Sequence, residues 1–171
     1  MKDHLFLIGF MGSGKSRWGA QLAAQLGLAF LDLDRQIEKG EQQTIPEIFA
    51  GQGEAGFRTL ERQYLHDLAE QAAAVVALGG GTPCFFDNMD WINRQGRSVY
   101  LKVPLNILIE RLQRKAGQRP VLAQWPQEEW PLRLGNMLQD RGGFYEQARY
   151  IVEYQGDDDA FFTQLLNCTT E

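Results

Sequence analysis

Residues 5–16 read LFLIGFMGSGKS. Four apolar residues, Leu5 to Ile8, run directly into Gly9, Gly12 and Gly14 and then a lysine and a serine. Gly9, Gly14, Lys15 and Ser16 satisfy the spacing G-x-x-x-x-G-K-[ST], with Gly12 as an extra glycine. The apolar run before the glycines reads as a core strand, and Trp18, Leu22 and Leu26 after them share one face of a helix. A strand, a glycine turn and a helix in that order form a phosphate-binding loop. Glycines let successive backbone N–H groups turn inward toward an anion, and the start of the helix adds partial positive charge. Lys15 is placed to reach the β- and γ-phosphates, and the Ser16 hydroxyl to ligate Mg²⁺.

Working outward, apolar runs at 5–8, 28–31, 75–78, 98–103 and 150–154 read as five short strands with both faces largely apolar. That pattern suits a parallel sheet covered by helices on both sides. Between the strands lie helical patterns: Trp18 to Leu26; Phe57, Leu60, Tyr64 and Leu68; 105–115; and 158–167. The alternation predicts an α/β domain with a doubly wound sheet, taken as one unit over 1–171. The stretch 116–129 (AGQRPVLAQWPQEE) has two prolines, one glycine and no periodicity, which reads as a functional loop or lid.

Composition narrows the partners. The chain has 171 residues, is 44% apolar and carries a net charge of −5. The apolar content excludes a disordered chain, and the acidic balance argues against nucleic acid, which demands a basic face. An anionic ligand must therefore be held by a local basic site. The cysteines, Cys84 and Cys168, are two and distant, so they read as reduced, non-catalytic thiols of a cytoplasmic protein. No apolar run reaches the roughly 20 residues of a membrane span, and the N-terminal run is too short for a signal peptide.

Further motifs surround the loop. Asp32 and Asp34 alternate after the second strand, where open α/β sheets bind ligands. The same place favours aspartate as a helix N-cap, so the pair alone leaves both readings open. Arg58 and Glu61 are three apart on a helix; in isolation they read as a surface ion pair worth little. Gly79, Gly80 and Gly81 close the third strand. They either admit a ligand or helix close to the backbone or form a plain turn. Arg119 lies in the irregular stretch, and Arg141 in QDRGGFYEQA.

Taken in order, GFMGSGKS, DLD, FRTLE, GGG, RPVL and RGGFY resemble the shikimate kinase family over roughly residues 5–155. The resemblance implies a three-layer P-loop kinase fold: a central five-stranded parallel sheet flanked by helices, with a mobile lid near 114–127 and a shikimate-binding region near 32–62. It implies ATP-dependent phosphorylation of the 3-hydroxyl of shikimate, on the way to aromatic amino acids, with Mg²⁺ as cofactor. The ATP-binding set it implies is Gly12, Ser13, Gly14, Lys15, Ser16, Arg17, Arg111 and Arg119. Arg111 matches an arginine near the adenine, and Arg119 a lid cation that meets the γ-phosphate. Ser16 and Asp32 would position the metal. Asp34 would orient the shikimate hydroxyls, Arg58 and Arg141 would grip its carboxylate, Gly80 would donate a backbone N–H, and Phe49 and Phe57 would line the pocket. Lys15, Asp34 and Arg119 form the implied catalytic set.

The expected protein is a cytoplasmic monomer acting on small molecules. The alternative readings are another small-metabolite kinase, such as a gluconate kinase, or a non-catalytic nucleotide-binding homologue. Some positions depart from the family pattern. Arg17 stands where a small hydroxyl residue commonly follows the loop serine, and it either adds charge near the nucleotide or faces solvent. The third strand lacks a terminal acidic residue, which leaves Asp32 as the metal-side carboxylate. Val121 is a mild change, and Trp125, Pro126 and Trp130 make the region after the lid bulky.

Overall fold

The computed structural model describes residues 4–114, 122 and 125–170. Five parallel strands form one sheet: β1 (His4–Ile8), β2 (Ala29–Asp32), β3 (Ala74–Ala77), β4 (Gly96–Lys102) and β5 (Tyr150–Glu153). Their spatial order is β2-β3-β1-β4-β5. All five expected strands are present within two residues of their predicted ends. β2 and β5 are the edges, and β2 is only partly buried, because an edge strand has one neighbour and less cover than the central run.

Period-two alternation sorts the side chains between two cores. Leu5 and Leu7 join Val75, Val99, Leu101 and Val152 against Trp18 and Leu22 of α1 (Lys15–Leu26) and Phe161 and Leu165 of α7 (Asp158–Thr170). Phe6, Ile8, Val76 and Tyr100 face the other way. That core is completed by α2 (Leu33–Glu41), α3 (Ile45–Asp67), α4 (Asn88–Gln95), α5 (Leu105–Gln113) and α6 (Trp130–Tyr145). Helices cover both faces, as the two-sided apolar strands require.

Three of these helices lie outside the predicted patterns. α2 buries only Leu33 and Ile37, so its apolar stripe is too thin to show as periodicity. α4 spans eight residues, too few for a repeat to register. α6 contains Pro131, Gly135, Gly142 and Gly143, residues that read as breakers. Pro131 is harmless in the first turn, where its missing N–H has no intrahelical partner to lose.

α3 also starts well before the predicted face. Thr44 and Glu47 form a reciprocal capping box: Thr44 N donates to Glu47 Oε2 at 2.7 Å, and Glu47 N donates to Thr44 Oγ1 at 3.4 Å. The helix kinks at Gly53, whose φ of 71° suits glycine.

β1 sits between β3 and β4, while its own helix leads to β2 at the edge. The chain therefore reverses its winding at the C-terminal end of β1, the point where α/β sheets leave a crevice for ligands.

Candidate active site

A cleft of about 420 Å³ opens at this crevice, lined by Gly12, Gly14, Lys15, Ser16, Asp32, Asp34, Gly79, Gly80 and Arg111 among others. A larger hollow of about 530 Å³ lies between α5, α6 and the ends of β4 and β5, but none of the predicted site residues lines it.

The glycine loop carries positive φ at Gly9, Gly12 and Gly14, which β-carbon-bearing residues rarely adopt. Gly14 is the N-cap of α1, and no side chain caps it. The first N–H groups of α1 thus face the cleft without a side-chain acceptor. Lys15 Nζ donates to the carbonyls of Gly9 at 2.7 Å and Phe10 at 3.1 Å, which folds it back over the loop. Arg111 Nη1 lies 3.3 Å from Ser13 O, and its guanidinium stacks 4.5 Å from the Tyr154 ring. Arg17 lines the same cleft but is 62% exposed, ion-paired to Asp158 at 2.9 Å and stacked on Trp18.

The two aspartates have separate roles. Asp32 is the N-cap of α2, with Oδ1 accepting from Arg35 N at 3.4 Å, and its Oδ2 accepts from the Ser16 hydroxyl at 2.8 Å. The N-cap reading of Asp32 holds, and its second oxygen is turned to the loop serine. Ser16 and Asp32 together present hard oxygen donors at the cleft. Among the described residues no cluster of three or more His, Cys, Asp or Glu side chains could hold a metal. Two protein oxygens fit a divalent ion that keeps its waters and takes the rest of its shell from phosphates. Asp34 is in the first turn of α2. Burial, then the Glu61 and Asp32 carboxylates, push its carboxyl from 3.8 up to about 6, against the pull of Lys15.

The glycine triplet is the hub of the site. None of Gly79, Gly80 and Gly81 has positive φ; what they supply is room. A β-carbon on Gly79 would meet Asp34 Oδ1 at 2.9 Å and Glu61 Oε1 at 3.1 Å. One on Gly80 would meet Arg141 Nη1 at 3.4 Å, and one on Gly81 would meet Arg58 Nη2 at 2.5 Å. Side chains from α2, α3 and α6 therefore converge on three consecutive backbone positions.

Arg58 and Glu61 are not the surface pair their spacing suggests. Their side chains are 9% and 1% exposed, and Arg58 Nη1 donates to Glu61 Oε2 at 2.9 Å. The other Glu61 oxygen accepts from the Thr82 hydroxyl at 2.6 Å. Aromatic rings cover the arginine, one from the turn after β3 and one from the preceding residue of its own helix: the Arg58 guanidinium lies 4.2 Å from the Phe85 ring and 5.1 Å from Phe57. Phe57 in turn packs on Phe49 with centroids 4.6 Å apart. Arg141 forms no salt bridge with a carboxylate among the described residues, and it points across Phe10 toward Gly80. Cys84 lies near both arginines, yet burial pushes its thiol up to about 11, so it stays protonated at neutral pH.

Of the predicted residues, Gly12, Gly14, Lys15, Ser16, Arg17, Asp32, Asp34, Gly80 and Arg111 line the cleft; Arg58 and Arg141 reach the glycine turn beside it, Phe49 and Phe57 pack around Arg58, and Ser13 is buried within the loop. Arg119 and most of the expected lid, 115–121, 123 and 124, lie outside the described residues. Glu61, Thr82, Phe85 and Tyr145 belong to the site as well. Of these, Glu61 and Tyr145 stood within the FRTLE and RGGFY motifs, with no role read for either, while Thr82 and Phe85 carried no signal.

Comparisons with known proteins agree with this geometry. A family model described as shikimate kinase matches residues 11–170. The shikimate kinase of Bacteroides thetaiotaomicron is 44% identical over 147 residues, covering 86% of this chain and 84% of that protein. A crystal structure of shikimate kinase from Bacteroides thetaiotaomicron superposes with a TM-score of 0.92 at 38% identity, covering 99% of each chain. Shikimate kinase from Acinetobacter baumannii in complex with shikimate gives 0.85 at 35% identity, covering 98% of this chain and 94% of that one. A phosphate loop, a buried aspartate and two arginines meeting at a glycine turn, on a sheet of this order, go with those likenesses: the chain belongs to the shikimate kinase family.

Proposed function

We propose that this chain transfers the γ-phosphoryl group of ATP to the 3-hydroxyl of shikimate, giving shikimate 3-phosphate and ADP. The observation that carries the reading is the convergence of Arg58, Arg141 and Asp34 on Gly79–Gly81, beside the phosphate loop. A ring bearing one carboxylate and three hydroxyls suits that arrangement. Guanidinium forks bind a planar carboxylate through paired hydrogen bonds. Phe49 and Phe57 supply apolar wall, and Gly80 offers a backbone N–H.

Asp34 accepts hydrogen bonds from the shikimate hydroxyls and holds the acceptor oxygen toward the phosphate loop. As the new O–P bond forms and the bond to ADP breaks, the hydroxyl proton leaves toward Asp34. A loose transition state asks little of that base, so positioning and charge do most of the work. Gly12, Ser13, Gly14 and the start of α1 cradle the phosphates through backbone N–H groups. Lys15 swings from the loop carbonyls to the developing γ-phosphate charge. Arg111 flanks the base, Arg17 adds charge at the rim, and Arg119 closes on the γ-phosphate with the lid to exclude water. Mg²⁺ held by Ser16, with Asp32 directly or through water, would supply charge across the β- and γ-phosphates.

This reading describes a monomeric cytoplasmic enzyme with small-molecule substrates and no nucleic-acid partner. The net charge of −5 supports the lack of a nucleic-acid partner, and among the described residues no helix is long and apolar enough to cross a membrane. A coupled assay of ADP release with ATP and shikimate, gluconate or quinate tests it. Turnover confined to shikimate is expected; preference for gluconate would move the acceptor to another sugar acid, and no turnover with any of them would leave a nucleotide-binding protein.

A further inference from the structure

Arg141 reaches the glycine turn from a weak stretch of helix. Gly142 and Gly143 follow it directly, α6 ends at Tyr145, and a β-carbon on either glycine would meet nothing within 4 Å. Glycine in a helix interior is less favourable than alanine, so this last turn is held by little of its own. Something must fix where Arg141 points.

Tyr145 is one helical turn beyond Arg141 and shares its face. It is fully buried. Its ring packs on Tyr100 of β4, with centroids 5.2 Å apart, and its hydroxyl donates to the Gly80 carbonyl at 2.6 Å. The Arg141 charge lies near the same phenol. Gly80 is also the residue whose added β-carbon would touch Arg141 Nη1.

We infer that Tyr145 is a positioning residue: its hydroxyl ties the end of α6 to the carbonyl of Gly80, and so sets the reach of Arg141 across the glycine turn toward the acceptor carboxylate. The inference rests on the proposed function, because the ligand of Arg141 is the shikimate carboxylate. Tyr145 does not touch substrate. It acts on one ligand contact through one hydrogen bond.

The test is Tyr145→Phe, which keeps the ring on Tyr100 and removes only the hydroxyl. Steady-state kinetics are read for wild type, Tyr145→Phe, Arg141→Ala and the double variant, with Tyr100→Phe as a control for disturbance of the ring stack. Loss of one buried hydrogen bond should raise the shikimate KM about fivefold, with kcat and the ATP KM within about twofold of wild type. In the Arg141→Ala background the added Phe should change the shikimate KM less than twofold, because coupled residues are non-additive. Tyr100→Phe should leave it unchanged.

An unchanged KM in Tyr145→Phe overturns the inference while leaving the function standing. So does an equal rise in both Arg141 backgrounds, or an equal rise in Tyr100→Phe. Wild type that fails to phosphorylate shikimate overturns the function and the inference together. Should Tyr145→Phe unfold, the comparison is made on Gly142→Ala/Gly143→Ala, whose methyl groups meet open space and raise helix propensity.

Discussion

Asp34 is held in a place that penalises its charge. Its folded carboxyl titrates near 6 rather than 3.8, because burial dominates and Glu61 and Asp32 add like charge. The folded protein therefore holds a proton there that the unfolded chain releases earlier. Its contribution to stability is intact below about pH 3.8 and is lost as pH rises through about 6. Asp34→Asn fixes a neutral side chain at the site. It should melt higher than wild type at pH 8, and this advantage should vanish by about pH 4. Turnover should fall by two to four orders of magnitude, the usual range for a positioned acid or base. For the wild type without substrates, kcat/KM for shikimate should drop on the acid side with an apparent pKa near 6. Melting curves across pH and a pH–rate profile check both. No stability advantage of Asp34→Asn at pH 8, or one that persisted unchanged at pH 4, would show that the gain does not come from removing a buried charge.

At the scale of elements, α3 carries most of the acceptor side, and two of its features make separate predictions. The Thr44–Glu47 capping box satisfies N–H groups at its start. Thr44→Ala should cost about 1 kcal/mol in urea unfolding, with the ATP KM unaffected. Arg58, three turns on, meets the glycine turn. A methyl group on Gly81 would lie 2.5 Å from Arg58 Nη2, and the guanidinium is hemmed in by Phe85 and Glu61. Gly81→Ala should thus displace Arg58 and raise the shikimate KM at least tenfold, while the ATP KM stays within about twofold; a tenfold shift is roughly 1.4 kcal/mol. The phosphate loop, the aspartate pair and the glycine triplet were legible in the sequence because each is local: spacing and residue type suffice. The burial of Arg58 and Glu61 was not legible, because Phe85 and Thr82, which cover them, come from the turn after β3. Tyr145 stood in the RGGFY motif, but its contact was hidden for the same reason, since its partner is a carbonyl on another element. α6 was masked by glycines and a proline that tertiary packing overrides, and the start of α3 was passed over because Thr44-x-x-Glu47 with Pro46 lies ahead of the apolar face from which that helix was read.

Across the whole molecule, the two arginines stand on opposite sides of the sheet's switch point. Arg58 comes from α3, which leads into β3, and Arg141 from α6, which leads into β5. A carboxylate gripped by both would bridge two elements that each reach the glycine turn. Ligand that binds only the folded state stabilises it by mass action, by about 2.7 kcal/mol at a hundred times Kd. In a domain of this size that is on the order of 5–10 °C in Tm. Shikimate at saturation should raise the wild-type Tm by that amount, and MgATP should raise it independently. Arg58→Ala and Arg141→Ala each remove a charge-assisted hydrogen bond worth ~1.5–3 kcal/mol, so at the same shikimate concentration each should lose most of the shikimate shift. The MgATP shift should survive in both, because neither arginine lines the cleft beside Lys15 and Ser16. Combining them should cost less than the sum of the two, since both serve one ligand. A shikimate shift that survived both substitutions, or a MgATP shift that fell with them, would move the carboxylate elsewhere in the crevice and assign the arginines to the nucleotide.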